Sequence, residues 1–502
     1  MRRRLLTDRS RLAAVALSGA IALTACAVGP NFHRPAEPTT DTYTAQAQPT
    51  VLTSAAADGG TAPNDGGTQT FVAGQDPPAQ WWHEFGSSAL DALVTEALHA
   101  NPNMQAAEAA LRQAQENVAA GRGPYFPQVQ LTADASRNRN AVQVLAPTLS
   151  SGAPIFNLYT PQVSVSFVPD LFGANRRQVE SLQATAAASG DEYDAAYLTL
   201  AANVVTAAVQ EAGLRAQIAA TRQIIDIERE SLQVMHRKLE LGAIAEADAL
   251  AQEAALAQLE ASLPPLQKDL DEQRDMLAVL TGHLPSDPPA AQFELDAITL
   301  PATIPLSVPS KLVERRPDVR AAEAQLHAAT ANVGVTIANM LPQITLSGSL
   351  GSVATETGKI FSGQSEFWSA GASLSQTLFA GGTLLHRERA ARAALDQAGA
   401  EYRAAVLTAF QNVADALRAL AADADAVQAA DRAATLSQAS LDIARRQYEL
   451  GAVSYLSLLN AQQSYQQAII GRAQARTNRY LDTAALFQAL GGSAPRNSTA
   501  DF

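Results

Sequence analysis

Apolar and polar residues alternate one by one in four segments of the chain, and this pattern predicts β-strands with one polar face. In the first two segments Val129, Leu131 and Ala133 alternate with polar neighbours, as do Val163 and Val165. An ordinary soluble strand has about five or six residues, whereas about ten residues let a tilted strand cross a bilayer. The segments suit strands of about ten residues, so the pattern predicts transmembrane strands. The alternation is clearest over residues 128–136, 162–167, 344–350 and 369–375.

After each pair of strands the apolar spacing changes to threes, fours and sevens, which is the seam of a coiled coil. Turn-forming residues at 170–173 and 378–382 separate the two patterns. The second seam predicts a helix from Thr383 to Leu450, and at ~1.5 Å per residue its length is roughly 100 Å. The seam residues are Tyr193, Tyr197, Leu200, Val204, Ile218, Ile225, Leu232 and Leu239 in the first helix, and Leu395, Tyr402, Val406, Phe410, Val413, Leu417, Leu420 and Val427 in the second.

Gly242 and Gly451 end the two long helices at the position that glycine favours, so the chain is expected to reverse there. Helices about half as long are predicted before the strands and after the glycines, so that two short helices would flank each long one. A Pro-rich connector would then form an equatorial belt at the midpoint, with Trp81 and Trp82 packed on it. The short helices are predicted over residues 88–120, with an interruption near Asn101-Pro102, and over 246–280, 309–340 and 454–490.

The two halves of the chain repeat each other. Residues 238–243 read KLELGA, and residues 447–452 read QYELGA, 209 positions later. Farther upstream Asn101-Pro102 corresponds to Arg316-Pro317 at a shift of 215. Solenoids and propellers repeat every ~20 to 50 residues, so this much longer period predicts two homologous halves of one body.

The N-terminus has the pattern of a secretory signal peptide, because five arginines precede an apolar run over residues 12–23. The run ends in Leu23-Thr24-Ala25-Cys26, which resembles a bacterial lipobox. Cys26 is the single cysteine, so no disulfide forms within the chain, and it is expected to become the lipidated first residue of the mature protein. A diacylglycerol thioether and an N-acyl chain together would hold it at a bilayer, where one acyl chain is marginal. Ala27 favours the outer membrane by similarity to sorted lipoproteins; the alternative is an incidental cysteine in a signal peptide cleaved elsewhere.

Composition and charge exclude several classes of function. Apolar residues make up 47% of the chain but aromatic residues only 5%, which suits closely packed Ala- and Leu-rich helices. The net charge of -13 becomes -17 without the first 25 residues, which carry five arginines and one aspartate, so nucleic acid is not an expected partner. No later segment has the ~18 consecutive apolar residues of a membrane-spanning helix. The seven histidines lack metal-ligand spacing, and no catalytic or phosphate-binding motif is present, which predicts neither an enzyme nor a cofactor or metal site.

Four membrane strands cannot close a barrel, because the smallest membrane barrels have about eight. Lipid leaves a free sheet edge unsatisfied, so several chains must contribute strands to one barrel. Two, three or four copies would give eight, twelve or sixteen strands. The sequence pattern does not choose between these assemblies.

Several motifs together are similar to those of the TolC-like outer-membrane factor family, in its lipoprotein branch. They are residues 26–35, 81–98, the Leu-Phe turns after the strands, 314–319 and 448–462. The resemblance covers the chain apart from residues 36–78 and the C-terminal tail, and it implies a mainly α protein with a transmembrane β-barrel. It further implies a homotrimer with a twelve-stranded barrel in outer-membrane lipid and a long α-helical coiled-coil barrel in the periplasm of a Gram-negative bacterium. A periplasmic adaptor (membrane fusion protein) and an inner-membrane pump of the resistance-nodulation-division type are the implied partners.

In that family the tunnel closes where the long helices turn, so the resemblance locates the gate near Gly242 and Gly451. At the first turn Glu246 and Asp248 could supply negative charge; the alternative is that they are ordinary helix-end charges. At the second turn the candidates are Tyr455, Leu456, Asn460 and Gln463. Family members often carry Asp at the position of Asn460 and Arg near Gln463. This chain departs at both, which favours an apolar ring of Leu456 with amide hydrogen bonds over a charged constriction.

The predicted function is a passive outer-membrane duct of a tripartite system that exports drugs or other small toxic compounds. The alternatives are the outer-membrane channel of a type I protein secretion system and a structural periplasmic lipoprotein without a pore. The predicted segments are the signal peptide 1–25, the lipidated N-terminus and flexible linker 26–80, the first repeat 81–284, the connector 285–308, the second repeat 309–492 and the polar tail 493–502.

Overall fold

The structure is a computed structural model that describes residues 27–36, 38–45, 50–53, 67–139 and 155–491. The predicted signal peptide, the lipidation site Cys26 and the polar tail lie outside the described residues. Contacts divide the chain into two compact units. The first comprises residues 1–34, 111–188 and 322–402, and the second comprises residues 35–110, 189–321 and 403–502.

The described residues form seven strands and nine helices, besides four short 3₁₀ helices. The strands are β1 (Val51–Leu52), β2 (Gln69–Ala73), β3 (Gln128–Arg139), β4 (Ile155–Phe167), β5 (Thr303–Leu306), β6 (Gln343–Ser352) and β7 (Glu366–Ser375). The helices are α1 (Ser88–Ala100), α2 (Pro102–Gly121), α3 (Ala174–Glu240), α4 (Glu246–Ala261), α5 (Leu263–Leu280), α6 (Pro309–Arg315), α7 (Pro317–Ala338), α8 (Thr383–Glu449) and α9 (Tyr455–Leu490). Among these helices, none is both long and apolar enough to span a membrane.

The first unit contains an antiparallel sheet in the order β3, β4, β6, β7. The strands have 12, 13, 10 and 10 residues, which confirms the prediction of four strands of about ten. Val163 of β4 lies opposite Leu131 on one side and Leu350 on the other, so apolar residues meet across the sheet. Because β4 belongs to the first repeat and β6 to the second, their pairing joins the two repeats. The outer edges of β3 and β7 pair with no other strand of the described residues.

The two long helices, α3 and α8, have 67 residues each, as the heptad spacing predicted. Both end at a glycine with positive φ, +71° at Gly242 and +72° at Gly451, a conformation that costs other residues energy. The N–H of Ala243 donates to the carbonyl of Lys238 at 2.8 Å, and the equivalent bond after α8 is also 2.8 Å. This six-residue closure satisfies the last helical carbonyls, so both repeats reverse by the same turn.

Prolines divide two helices that the sequence predicted as continuous. The predicted helix over residues 246–280 is two helices, α4 and α5, which meet at Ser262, because Pro264 and Pro265 have no N–H for the preceding turn. Likewise the helix predicted over 309–340 divides into α6 and α7 at Arg316, the residue before Pro317. The break at Asn101-Pro102, between α1 and α2, was predicted correctly.

Part of the predicted flexible linker is ordered, and that prediction was wrong for β1 and β2. These strands form a three-stranded sheet with β5 of the Pro-rich connector, in the order β1, β2, β5. Phe71 of β2 lies opposite Ile304 in the parallel pair β2–β5. Gln69 is fully buried, and its side chain bonds the carbonyl of Pro301 and the hydroxyl of Thr483. The linker region therefore contributes two strands and a buried polar side chain to the second unit.

The second unit has an aromatic core beside this sheet. Trp81 and Trp82 are 0% and 1% exposed and share a core with Phe293 and Leu295 of the connector, which confirms that they pack on it. Trp81 stacks on Phe487 of α9, with 5.4 Å between ring centroids. Phe85 packs edge-on against Trp81 at 6.1 Å. The core therefore ties the segment before α1 to the end of α9.

Candidate gate at the helix turns

The first turn joins α3 to α4, and we name this pair the first hairpin. Glu246 and Asp248 lie in the first turn of α4, where Glu246 is exposed and Asp248 is half-buried. Negative charge at a helix N-terminus is stabilising by ~0.3–1 kcal/mol, which accounts for Glu246 without any gating role. Asp248 is different, because its carboxylate also lies close to two tyrosines of the other hairpin, the half-buried Tyr448 and the buried Tyr455.

The second turn joins α8 to α9, and we name this pair the second hairpin. Tyr455 begins α9 and is only 4% exposed, whereas the next side chain, Leu456, is 63% exposed. Asn460 and Gln463 are exposed one and two turns farther along α9. The structure therefore leaves three of the four candidates at the surface and places Tyr455 in the interior. The apolar ring of Leu456 stays a prediction.

A small hydrophobic cluster holds the two hairpins together near the turns. It contains Met235 of α3, Leu441 of α8, and Tyr455 and Leu458 of α9. Tyr448, in the last turn of α8, meets Tyr455 edge-on with 5.7 Å between ring centroids. The turn region of the second hairpin thus packs on α3 of the first.

Charged groups of the first hairpin surround these tyrosines. The Lys238 ammonium lies 5.0 Å from the centroid of the Tyr448 ring, a cation–π contact. Burial raises the pKa of Tyr448, and the Asp248 carboxylate raises it further. Burial also raises the pKa of Tyr455, with smaller contributions from Glu228, Tyr448 and Asp248. Asp248 of the first hairpin therefore lies close to both tyrosines of the second.

Sequence reasoning missed a buried acid in the first hairpin, Glu228, which is 6% exposed. A signal was present, because Glu228 stands three residues after Ile225 and four before Leu232, in the apolar seam of α3. A charged group in such a seam is costly unless it is hydrogen-bonded.

The apex of each hairpin carries an exposed leucine that the sequence did not single out. Leu241 and Leu450 directly precede the two turn glycines and are 72% and 84% exposed. They are equivalent in the repeat, 209 positions apart. A single exposed leucine is common on a protein surface, but here the repeat places one at the apex of each hairpin.

A second candidate site lies in the first unit, where residues 27–34, which we name the N-terminal strap, lie against α3 and α7. The N–H of Val28 donates to the carbonyl of Phe172 at 3.1 Å. Arg177 of α3 donates to the carbonyl of Val28 at 3.3 Å and to Asn31 Oδ1 at 2.6 Å. Phe32 stacks on His327 of α7 with 4.4 Å between ring centroids. The residues after Cys26 are thus fixed beside the turn that follows β4.

Comparison with known proteins agrees with this architecture. The family model described as outer membrane efflux protein matches residues 93–283 and again residues 308–492. The chain belongs to the outer membrane efflux protein family. The two matches correspond to the two repeats of this efflux protein.

Relatives of the efflux protein extend over most of its length. It is 30% identical over 428 residues to the pyoverdine export outer membrane protein OpmQ of Pseudomonas aeruginosa, covering 82% of this chain and 87% of OpmQ. It is 28% identical over 486 residues to the outer membrane protein OprJ of Pseudomonas aeruginosa, covering 95% of each. Among solved structures, the outer-membrane channel OprN is 30% identical with a TM-score of 0.81, covering 93% of this chain and 100% of OprN. The Campylobacter jejuni CmeC channel, 20% identical with a TM-score of 0.80, shares the fold over 94% of this chain and 96% of CmeC.

The efflux protein therefore has a TolC-like, mainly helical fold and functions as an outer-membrane efflux channel rather than as an enzyme. The relatives named here give no further support to the protein-secretion alternative. The structural lipoprotein without a pore is set aside, because the family consists of channels.

Proposed function

We propose that three copies of this chain assemble into one continuous duct. The observation that carries the proposal is the four-stranded sheet, whose two edge strands, β3 and β7, have no further partner among the described residues. A free edge is unsatisfied in lipid, so each β7 would pair with β3 of the next copy. Three copies give a twelve-stranded barrel, and their helical hairpins give a coiled-coil tunnel in the periplasm.

The assembly is tested by mass and by conductance. The protein purified in mild detergent is expected to have the mass of three chains, because no smaller closed arrangement leaves a wide polar lumen. In a planar lipid bilayer it should carry a steady ion current. A monodisperse single chain that conducts no ions would contradict the proposal.

The duct needs partners, since nothing in the chain supplies energy. We propose that a periplasmic adaptor (membrane fusion protein) contacts the exposed apex residues Leu241 and Leu450, and that an inner-membrane pump of the resistance-nodulation-division type drives export. The exported compounds are drugs or other small toxic molecules. Relatives support this role, because one is named an antibiotic efflux pump outer membrane protein and another a toluene efflux pump outer membrane protein.

We propose that Cys26 carries a diacylglycerol thioether and an N-acyl chain, and that residues 1–25 are removed as a signal peptide. The N-terminal strap supports the proposal, because its contacts hold residues 27–34 beside the strand–helix turn at Phe172. A lipid anchor on the preceding residue would therefore reach the same membrane as the sheet. Residues 81–284 and 309–492 are the proposed repeats, joined by the connector 285–308.

Replacing Cys26 by serine is expected to abolish the incorporation of labelled palmitate, because serine has no thiol to receive the diacylglycerol. Labelling of cells followed by immunoprecipitation measures this. The matched control is Ala27→Ser, which introduces the same hydroxyl one residue later and should keep full labelling. Labelling that persists in Cys26→Ser would disprove the assignment of the lipid to this residue.

We propose that the gate lies at the two helix turns, with Gly242 and Gly451 at the apices. Asp248 lies close to Tyr448 and Tyr455 of the other hairpin, and the surface position of Leu456 suits an apolar ring in the trimer. Glu246, Asn460 and Gln463 are exposed and would form the polar rim of the aperture.

A further inference from the structure

A polar cluster is buried between helices that are otherwise joined by apolar contacts. Glu228, Gln252 and Gln462 are 6%, 0% and 6% exposed. The Glu228 carboxylate oxygen Oε2 accepts hydrogen bonds from Gln252 Nε2 and from Gln462 Nε2, the latter at 3.0 Å. Gln252 Nε2 also donates to the backbone carbonyl of Glu228 at 3.3 Å. One oxygen atom thus connects three helices.

This cluster crosses from one hairpin to the other. Glu228 on α3 and Gln252 on α4 belong to the first hairpin, whereas Gln462 on α9 belongs to the second. Two exposed ion pairs nearby stay within the first hairpin, Arg229 with Glu260 and His236 with Glu253. Any movement that separates the hairpins at this level must break the bond between Glu228 and Gln462 and expose the carboxylate to water.

Burial makes the charged form of Glu228 unfavourable. Desolvation is the largest influence and raises the pKa of this carboxyl, while the bond from Gln252 and the charge of Arg445 on α8 lower it. From α9, the neutral Tyr455 faces the same carboxyl. The net direction is upward, so the closed cluster binds a proton more tightly than a solvated carboxyl would.

The cluster also has acceptors available for a protonated Glu228. Among the described residues, Gln252 Oε1 and Gln462 Oε1 are buried without a hydrogen-bond partner. Rotation of either amide exchanges its Nε2 and Oε1, so a protonated carboxyl could donate to the oxygen. A cavity of about 440 Å³ adjoins Glu228 and Gln462, and its glutamine-rich wall gives the amide of Gln462 room and polar partners.

We propose that Glu228, Gln252 and Gln462 form a clasp between the two hairpins, which holds the gate closed when the carboxyl is protonated and releases it when the carboxyl is charged. The clasp stands 14 residues before Gly242, or about 21 Å along α3. Glu228 is therefore a positioning residue, which acts on the aperture through the hairpins. This inference rests on the proposed gate.

The direction of the pH effect follows from linkage. In the released state water reaches Glu228, and its pKa is near the ordinary ~4.3. In the clasped state the pKa is raised. Protonation therefore favours the clasped state: the stabilisation is fully present below the ordinary pKa and is lost as the pH rises through the raised pKa. Acid should close the gate, and neutral pH should ease its opening.

The test is single-channel recording in planar bilayers from about pH 4 to about pH 7.5, which spans the ordinary carboxyl pKa of ~4.3 and the range above it. The open probability of the wild-type channel is expected to rise several-fold with pH. The Glu228→Gln variant keeps the size of the side chain but is always neutral, so its open probability should stay at the acid value throughout. A second variant, Gln462→Leu, removes the crossing bond and should raise the open probability at acidic pH.

The matched control is Glu253→Gln, which removes an exposed carboxyl from α4 and should retain the wild-type pH profile. If Glu228→Gln forms channels that keep the wild-type profile, the clasp is wrong. If the profile disappears in Glu253→Gln instead, the response belongs to the exposed His236–Glu253 pair and the clasp is again wrong. Wild-type protein that forms no channel at any pH would contradict the proposed duct itself.

Discussion

Replacing Ala133 by proline is expected to leave the chain folded but to prevent its assembly into trimers. Ala133 is on β3, the edge strand whose outer side would receive β7 of the next copy. Proline has no N–H and its ring projects where a partner strand would lie, so it is tolerated only on a free edge. We expect the trimer fraction and the conducting activity to fall at least about tenfold, because each of three interfaces loses a ladder bond worth ~1 kcal/mol and gains a steric clash.

The choice of Ala133 for this substitution follows from the hydrogen-bond pattern of the sheet. The N–H of Tyr159 on β4 donates to Ala354, on the side of β6. In an antiparallel ladder the backbone polar groups of successive residues point to opposite sides of the strand. Those of Tyr159 and Pro161 therefore point toward β6, and those of Gln162 point toward β3. Gln162 lies opposite Thr132, and therefore the N–H of Thr132 faces β4 whereas that of Ala133 faces outward.

Two controls separate assembly from folding. Ala133→Val keeps the outward N–H and should assemble normally, as measured by native mass in detergent. Thr132→Pro removes a donor from the β3–β4 ladder, so it should destabilise the sheet of the single chain as well. Trimers of normal mass and conductance from Ala133→Pro would show that β3 is not an interface.

The second large effect is expected at the gate, where Asp248→Ala should shift the channel strongly toward conducting states. Asp248 lies in the first turn of α4, beside the hairpin turn, where a negative charge stabilises the helix N-terminus by ~0.3–1 kcal/mol, so its loss should loosen this turn in each copy. Three copies that open together would lose ~1–3 kcal/mol, which is a roughly five- to hundredfold change in the ratio of closed to open channels. Leu456→Ala should raise the closed-state current about tenfold, because it shortens an apolar ring that excludes water.

Recordings of both variants in planar bilayers measure these changes. Leu250→Ala is the control, since Leu250 is 55% exposed on the same helix as Asp248 and was not assigned to the gate. A double-mutant cycle with Tyr448→Phe should show that the effects of Asp248→Ala and Tyr448→Phe are not additive. If the closed-state current stays at the wild-type value in both Asp248→Ala and Leu456→Ala, these residues do not form the gate.

Local patterns predicted most of the fold. Strict alternation predicted strands β3, β4, β6 and β7, because successive side chains of a strand point to opposite faces of the sheet. Apolar spacing and the glycines at 242 and 451 predicted two long helices, and the second was predicted from Thr383 to Leu450, one residue longer than α8. The prolines at 264 and 265 were the main local signal that was overlooked, and they divided one helix into two.

Contacts between distant parts of the chain could not be read in the same way. The strand β2 pairs with β5, where Thr70 lies opposite Thr303, and no local pattern distinguishes Gln69–Ala73 from a linker. The same limit applies to the gate. Glu228 could have been noticed in its seam, but its partner Gln462 is 234 residues away and resembles any exposed glutamine of α9.

The N-terminal strap limits the distance between Cys26 and the turn that follows β4. Val28 is bonded to Phe172, and Cys26 precedes it by two residues, so the backbone between Cys26 and that bond can span at most about 7 Å. If the lipid is attached there, the periplasmic surface of the bilayer must lie at the level of Phe172. The acyl chains would then do more than tether the N-terminus. They would set the depth at which each subunit enters the bilayer before the subunits assemble.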